Sequence, residues 1–328
     1  MKEINNELLR LIKEKKTINQ ISQELNLTNR EVHGELTFLK KYATAFSSKY
    51  YYDGNLIYVL NQNKQDKISI ITKPTDTEFI AICISDLHIG SELERLDLLD
   101  KVYEYCVKEG INIIINGGDL IDGFIGRCKK KHENHEKQIE YFIKNYPFDE
   151  NILNFACLGN HDFTALYKSN IDFQEILKDT RPDIIPLGYG KGTINIKRDQ
   201  IIVQHPLAFE KNTDFKIKNK LVLRGHQHQM KFLRTKNNAI IYLPTLSDIL
   251  FNDNELPGVI KMRLTFENGL FSTGIFEYLT ISDKIRTANE IHCSLSFRKK
   301  IRKNSQIPFE EEYNFSKVNK GRGVYTKK

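Results

Sequence analysis

Asp86 and His88 stand two residues apart at the end of an apolar run, Phe79-Ile80-Ala81-Ile82-Cys83-Ile84, with Gly90 just beyond. A carboxylate and an imidazole placed there can be aimed into one crevice, because open α/β sheets bind ligands beyond the carboxyl ends of their strands. One Asp-x-His pair is weak evidence, since short matches arise by chance. The pattern repeats, however. Asp119 follows the apolar run 111–115 after two glycines, and Asn160, His161 and Asp162 follow the run 152–158. His205 follows the run 201–203 and Gln204, and His226 and His228 follow 221–223 with Arg224 and Gly225. A lone core histidine is more often structural than functional, but five such exits in order point to a site. Oxygen and imidazole donors without thiolate suit a divalent metal, with manganese favoured and iron, zinc or magnesium as alternatives.

The elements that must carry these residues follow from periodicity. From Phe79 onward, apolar strands alternate with helices, among them an amphipathic helix over 94–108 and a lysine-rich one over 129–144. After a helix near 173–177 the pattern becomes mostly β, and Asn268-Gly269 marks a hairpin between the strands 259–266 and 270–278. The expected fold class is α/β: two sheets packed as a sandwich, flanked by helices.

Asp86-x-His88, Gly118-Asp119, Gly159-Asn160-His161-Asp162, His205 and Gly225-His226-x-His228 together resemble the five motifs of the calcineurin-like metallophosphoesterase superfamily, in the family's order. The resemblance covers about residues 79–280. It implies a two-metal phosphoesterase in which two cations clamp the attacking and leaving oxygens and lower the pKa of bound water. One metal would take Asp86, His88, Asp119 and His228, and the other Asp119, Asn160, His205 and His226, with Asp119 bridging. His161 would stabilise the transition state or protonate the leaving oxygen, with a second metal ligand as its alternative role. Asp162 would orient His161, or make an ordinary surface hydrogen bond. Protein Ser/Thr phosphatases continue the second motif with Asp-Arg-Gly. Here Gly118-Asp119-Leu120-Ile121-Asp122-Gly123 lacks that arginine, which argues against a phosphoprotein substrate, and Ile84-Ser85-Asp86-Leu87-His88-Ile89-Gly90 resembles the phosphodiesterase and nuclease branches more closely. His132 and His135, in a lysine-rich stretch, face either substrate phosphate or, by the simpler reading, solvent.

The first sixty residues read as a unit of their own. Leu8, Leu9 and Ile12 mark a helix face, and Thr17 with Gln20 and Thr28 with Glu31 form capping boxes opening two short helices. Asp53-Gly54 then joins two strand-like runs. Three helices and a hairpin resemble a winged helix-turn-helix domain over residues 1–60. Nucleic acid, with DNA favoured, would meet Asn29, Arg30, His33, Thr37 and Lys40 on the third helix. A protein-docking or dimerisation module is the competing reading. A linker is expected over 61–78, the phosphoesterase domain over 79–281, and a basic tail over 282–328 that includes Arg298-Lys299-Lys300-Ile301-Arg302-Lys303.

Charge is compatible with this without demanding it: 49 Lys and Arg stand against 42 Asp and Glu, a net +7. Five cysteines without a Cys-x-x-Cys pair suggest a reducing compartment, and no apolar run approaches the roughly 20 residues that cross a bilayer. A cytoplasmic protein with no membrane partner is expected. The leading activity is hydrolysis of phosphodiesters in nucleic acid. A small-nucleotide phosphatase or phosphodiesterase with a sensing N-terminal unit is the alternative, and a DNA-binding regulator using the fold as a scaffold is a third.

Overall fold

The computed structural model describes residues 76–126, 129–207, 220–250, 256–282 and 284–297 continuously. It also describes 7–35 in part, residue 68, and strands at 46–51, 56–60, 69–71 and 310–314. Both capping boxes form. Thr17 N–H donates to Gln20 Oε1 at 2.9 Å and Gln20 N–H to Thr17 Oγ1 at 3.2 Å, opening helix α1, Ile18–Leu25. Thr28 N–H donates to Glu31 Oε2 at 2.8 Å and Glu31 N–H returns the bond. Leu8, Leu11, Ile12, Ile18, Ile21 and Val32 are buried together, in one apolar cluster with Ile70 and the sandwich core.

Strands β1 (Phe46–Tyr51) and β2 (Leu56–Leu60) pair antiparallel, as the Asp-Gly signal implies. They do not stand apart as a free wing. β1 pairs in parallel with β3, Ser69–Ile71, which lies within the expected linker and pairs in turn with a strand of the main domain.

The site rests on four parallel strands: β4 (Glu78–Ile84), β5 (Ile113–Asn116), β6 (Leu153–Leu158) and β7 (Ile184–Tyr189). Between them run α2 (Leu96–Glu109), α3 (His135–Asn145), α4 (Asn160–Ser169) and α5 (Phe173–Thr180). The second sheet is built on β8 (Lys191–Ile196), β9 (Asp199–Gln204), β10 (Lys220–Arg224), β11 (Lys231–Thr235) and β12 (Asn238–Tyr242). The chain then returns to the first sheet with β13 (Gly258–Glu267), β14 (Leu270–Ile281) and β15 (Ile285–Ser294), and β16 (Glu310–Asn314) caps the second. The strand orders are β15-β14-β13-β4-β5-β6-β7 and β16-β11-β12-β10-β9-β8-β3-β1-β2.

Alternation along β4 shows why its sequence is apolar throughout. Phe79, Ala81 and Cys83 face the core between the sheets, whereas Ile82 and Ile84 face the helical layer of Leu98, Leu99, Val102, Ile139 and Phe142. A strand covered on both faces needs apolar residues at both phases.

Three elements depart from the sequence expectation. α4 begins at Asn160 itself, within the motif. α3 begins at His135 rather than 129, because Asn134 caps it by accepting the Lys137 N–H at 2.9 Å. Regular structure also continues past Ile281, since β15 pairs along β14. The basic cluster 298–303 and the end from residue 315 lie outside the described residues.

Candidate metal centre

The strand exits converge because their loops are hydrogen-bonded to one another. Asp86 N–H donates to the Gly118 carbonyl at 2.9 Å, and the amides of Leu87 and His88 donate to the Asp119 carbonyl at 2.9 and 3.1 Å. Asp86, His88, Asp119, His226 and His228 all take left-handed backbone, with φ of 55°, 47°, 54°, 80° and 53°. Non-glycine residues rarely adopt it, and such strain collects where surrounding structure dictates a side chain's aim.

Of the three groups of donors that result, two lie wholly within the predicted ligand set, and the third joins His88 to Asp122 and His161. In the first, His88 Nε2 lies 3.2 Å from His228 Nε2, which is itself 3.2 Å from Asp86 Oδ1. His228 donates its Nδ1–H to the Ile249 carbonyl at 2.6 Å, so its Nε2 presents a lone pair. In the second, His205 Nε2 is 3.0 Å from both Asp119 Oδ2 and Asn160 Oδ1, and His226 Nδ1 is 3.0 Å from that same Asn160 oxygen. His205 donates its Nδ1–H to the Gly117 carbonyl at 2.8 Å, which again turns Nε2 toward the carboxylate. Lone pairs converging at these distances in a buried space repel one another unless a cation lies between them. The residues therefore fit divalent metals: Asp86, His88 and His228 form one group able to hold an ion, and Asp119, His205 and His226 another.

The electrostatics point the same way. Burial works against charge on Asp86, yet His228 and His205 outweigh it and hold the carboxyl down at about 2. Burial likewise opposes charge on Asp119, and His205 and His161 outweigh it, leaving Asp119 far below the usual carboxylate range. Burial opposes the His205 imidazolium as well, but Asp119 and Asp86 prevail and raise it to about 9. A proton on His205 and a metal cation answer the same field.

Two glycines allow the groups to approach. A Cβ on Gly159 would lie 2.1 Å from Asp119 Oδ1 and 2.7 Å from His205 Cδ2. Gly118, at φ +113°, has the His205 ring where a side chain would go.

His161 sits in the first turn of α4. Its N–H donates to Asp119 Oδ1 at 2.9 Å and its Nδ1–H to the Asp122 carbonyl, while Nε2 lies 4.0 Å from Asp119 Oδ2. Burial pushes its imidazolium down in pKa.

Asp162 lies elsewhere than the sequence suggested. Its two oxygens accept the Ile121 N–H at 2.9 Å and the Gly159 N–H at 2.7 Å, so it joins two exit loops instead of meeting the His161 ring. The cause is helical phase: as the third residue of α4, its carboxylate reaches back to cap the helix. The carboxylate near the rings belongs to Asp122, which sequence reasoning passed over. Its Oδ1 lies 3.4 Å from His88 Nδ1 and 3.8 Å from His161 Nδ1, and its Oδ2 pairs with Lys130 Nζ. The signal was its place in the second motif, three residues past Asp119 and before Gly123.

His135 is buried, with ring nitrogens 2.7 Å from Ser169 Oγ and 2.9 Å from Thr164 Oγ1, and His132 packs on Tyr141. Neither faces a substrate phosphate through these contacts, and His135 is not the solvated residue of the simpler reading. Of the five N-terminal candidates, Asn29 donates to Asn19 Oδ1 at 2.8 Å, while Arg30, His33, Thr37 and Lys40 lie outside the described residues. No helix among the described residues is long and apolar enough to cross a membrane.

Known structures resemble about two thirds of this chain. No curated protein matches it. Among solved structures, an archaeal protein described as a novel phosphodiesterase is 17% identical over 61% of this chain and 100% of its own, with TM-score 0.39. Yfce, a phosphoesterase from E. coli, is 13% identical over 66% of this chain and 100% of its own, with TM-score 0.39. Vacuolar protein sorting 29 from Cryptosporidium parvum is 14% identical over 67% of this chain and 100% of its own, with TM-score 0.41. The calcineurin-like phosphoesterase family matches residues 81–230, which include every one of the converging donors. Residues 81–230 are a calcineurin-like metallophosphoesterase domain, and the protein is a metal-dependent hydrolase.

Proposed function

We propose that the protein hydrolyses phosphodiester bonds in nucleic acid with the help of two divalent metals, manganese first among them. The observation that carries this reading is the pair of donor groups built on the buried carboxylates of Asp86 and Asp119, with the Nε2 of His161 turned toward them. Asp86, His88, Asp119 and His228 would hold one ion, and Asp119, Asn160, His205 and His226 the other. Bound there, the ions supply charge neutralisation for the anionic ester and a lowered pKa for water.

The chain's own residues do the rest. The carbonyls of Gly117 and Ile249 fix the tautomers of His205 and His228, so that each offers Nε2 to the centre. His161 keeps one proton on Nδ1 against the Asp122 carbonyl and delivers another from Nε2 to the departing oxygen. An anionic ester beside His161 favours the protonated ring and offsets the effect of burial.

A diester is favoured over a phosphoprotein by the second motif, in which Gly123 stands where the phosphatases have arginine. Nucleic acid is favoured by the net +7 charge and the basic cluster near the end. The second reading, a small-nucleotide esterase with a docking N-terminal unit, draws support from the β1–β2 hairpin, which is joined through β3 to the main sheet.

The test is manganese-dependent hydrolysis of bis-p-nitrophenyl phosphate beside p-nitrophenyl phosphate, with Asp119→Ala as the control. Diester turnover lost in the variant, followed by cleavage of DNA or RNA, supports the reading. Turnover of the monoester alone overturns it.

A further inference from the structure

Helix α4 carries more than the three motif residues at its start, Asn160, His161 and Asp162. Phe163 and Tyr167 follow Asn160 at three and seven residues, the spacing that lines a single helix face. Their rings are stacked, with centroids 6.3 Å apart and planes 20° from parallel. Phe163 is half-buried and meets Tyr189 edge-on at 5.4 Å. Tyr189 is fixed through its hydroxyl, which donates to Asp172 Oδ1 at 3.1 Å. It also precedes Gly190, whose carbonyl accepts the His205 N–H at 2.9 Å. The row of rings therefore starts beside the second donor group and runs outward from Asn160.

Tyr167 ends the row at 70% exposure, the highest of the large apolar side chains among the described residues. A ring held in water at a set orientation by the ring beneath it is a surface prepared for a third ring. Helical rise places Tyr167 about 10 Å along the axis from Asn160, on the order of one or two nucleotides of extended strand. Lys168 adds a positive charge next to it, its ammonium docked on the Phe124 carbonyl at 2.6 Å.

We propose that Phe163 and Tyr167 form a stacking step for a nucleobase of the substrate, one or two nucleotides from the phosphate being cleaved. The step rests on the nucleic-acid reading given above and deepens it. It binds a base by its π-face, which every base has, so the enzyme holds a strand without selecting its sequence.

The experiment compares kcat/KM of the manganese-loaded full chain on a short single-stranded oligonucleotide with that on an abasic oligonucleotide of the same length. The wild type, Tyr167→Ala and Tyr167→Phe are measured side by side. Tyr167 is exposed, so neither change threatens folding. The base-bearing to abasic ratio is expected to fall about 10-fold in Tyr167→Ala and to stay within about 2-fold in Tyr167→Phe. An equal ratio in wild type and Tyr167→Ala overturns the step alone, including the case in which Tyr167 serves a protein contact instead. Hydrolysis of a simple aryl diester with no cleavage of either oligonucleotide overturns the nucleic-acid reading, and the step with it.

Discussion

His88 Nδ1 lies 3.4 Å from Asp122 Oδ1, both atoms sealed from solvent and neither with a hydrogen-bond partner among the described residues. The second oxygen of Asp122 is paired with Lys130, and its carbonyl takes the Nδ1–H of His161. Asp122 thus fixes the His161 ring through its carbonyl and sets its carboxylate against the Nδ1 edge of His88. Asp122→Asn keeps the shape and removes one acceptor. It is expected to lower manganese-dependent turnover roughly 10- to 100-fold, with a weaker loss in Lys130→Met. Turnover measured across a manganese titration decides the matter: wild-type rates at every concentration would show that the carboxylate is dispensable.

His161→Ala separates proton transfer from metal binding. Turnover should fall by about 10²- to 10⁴-fold while elemental analysis still finds the wild-type metal content. Loss of one metal equivalent would make His161 a ligand instead.

Close approach sets the cost of adding a methyl group. Gly159→Ala drives a Cβ into Asp119 and His205, so metal binding and turnover should both be abolished. Gly110 caps α2 at φ +65°, and a Cβ there would meet nothing within 4 Å, so Gly110→Ala should cost only about 1 kcal/mol in chemical denaturation. Equal effects of the two changes would contradict the crowding argument.

In the metal-free protein the same groups govern stability against pH. His205 is raised to about 9, so its stabilising contribution is complete below the ordinary histidine value near 6.5 and is lost as pH rises through about 9. Asp86 is held at about 2, so its contribution is present above the ordinary aspartate value and disappears as pH falls through about 2. Melting temperature of chelator-treated protein should therefore decline between about pH 6.5 and 9, and bound metal should flatten that decline by taking the place of the His205 proton. A melting temperature that climbs over this interval in the absence of metal would rule out a charged His205.

Asp162→Asn leaves one oxygen where two backbone amides require acceptors. Unfolding free energy should drop by about 1–3 kcal/mol, measured by denaturant titration. A change in turnover with stability intact would return Asp162 to the role of orienting His161.

Local chemistry was legible in the sequence. Both capping boxes, the antiparallel pairing of β1 with β2, the Asn268-Gly269 turn, and the five apolar strands before the donors depend on neighbours a few residues away. What escaped reading depends on position in the sheet. β7 contains Pro186 and Gly188, which look like breakers, yet it is an edge strand where a missing N–H is tolerated. β15 lies at the opposite edge with most side chains exposed, so it lacks an apolar period. Asp122 looks like any loop aspartate until the fold sets it against His88 and His161. The left-handed backbone of Asp86, His88 and Asp119 has no sequence signal, because the hydrogen bonds of other loops impose it.

His88 and His228 touch across 140 residues of chain. During synthesis, then, the first donors emerge well before their partners, and a nascent chain that stops short of His228 lacks a donor of the first group. Metal capture becomes a late event, possible only when strands from the start and the end of the domain have met. Retained metal is accordingly a certificate of completed folding, and a misassembled copy would be silent as a hydrolase as well as unstable.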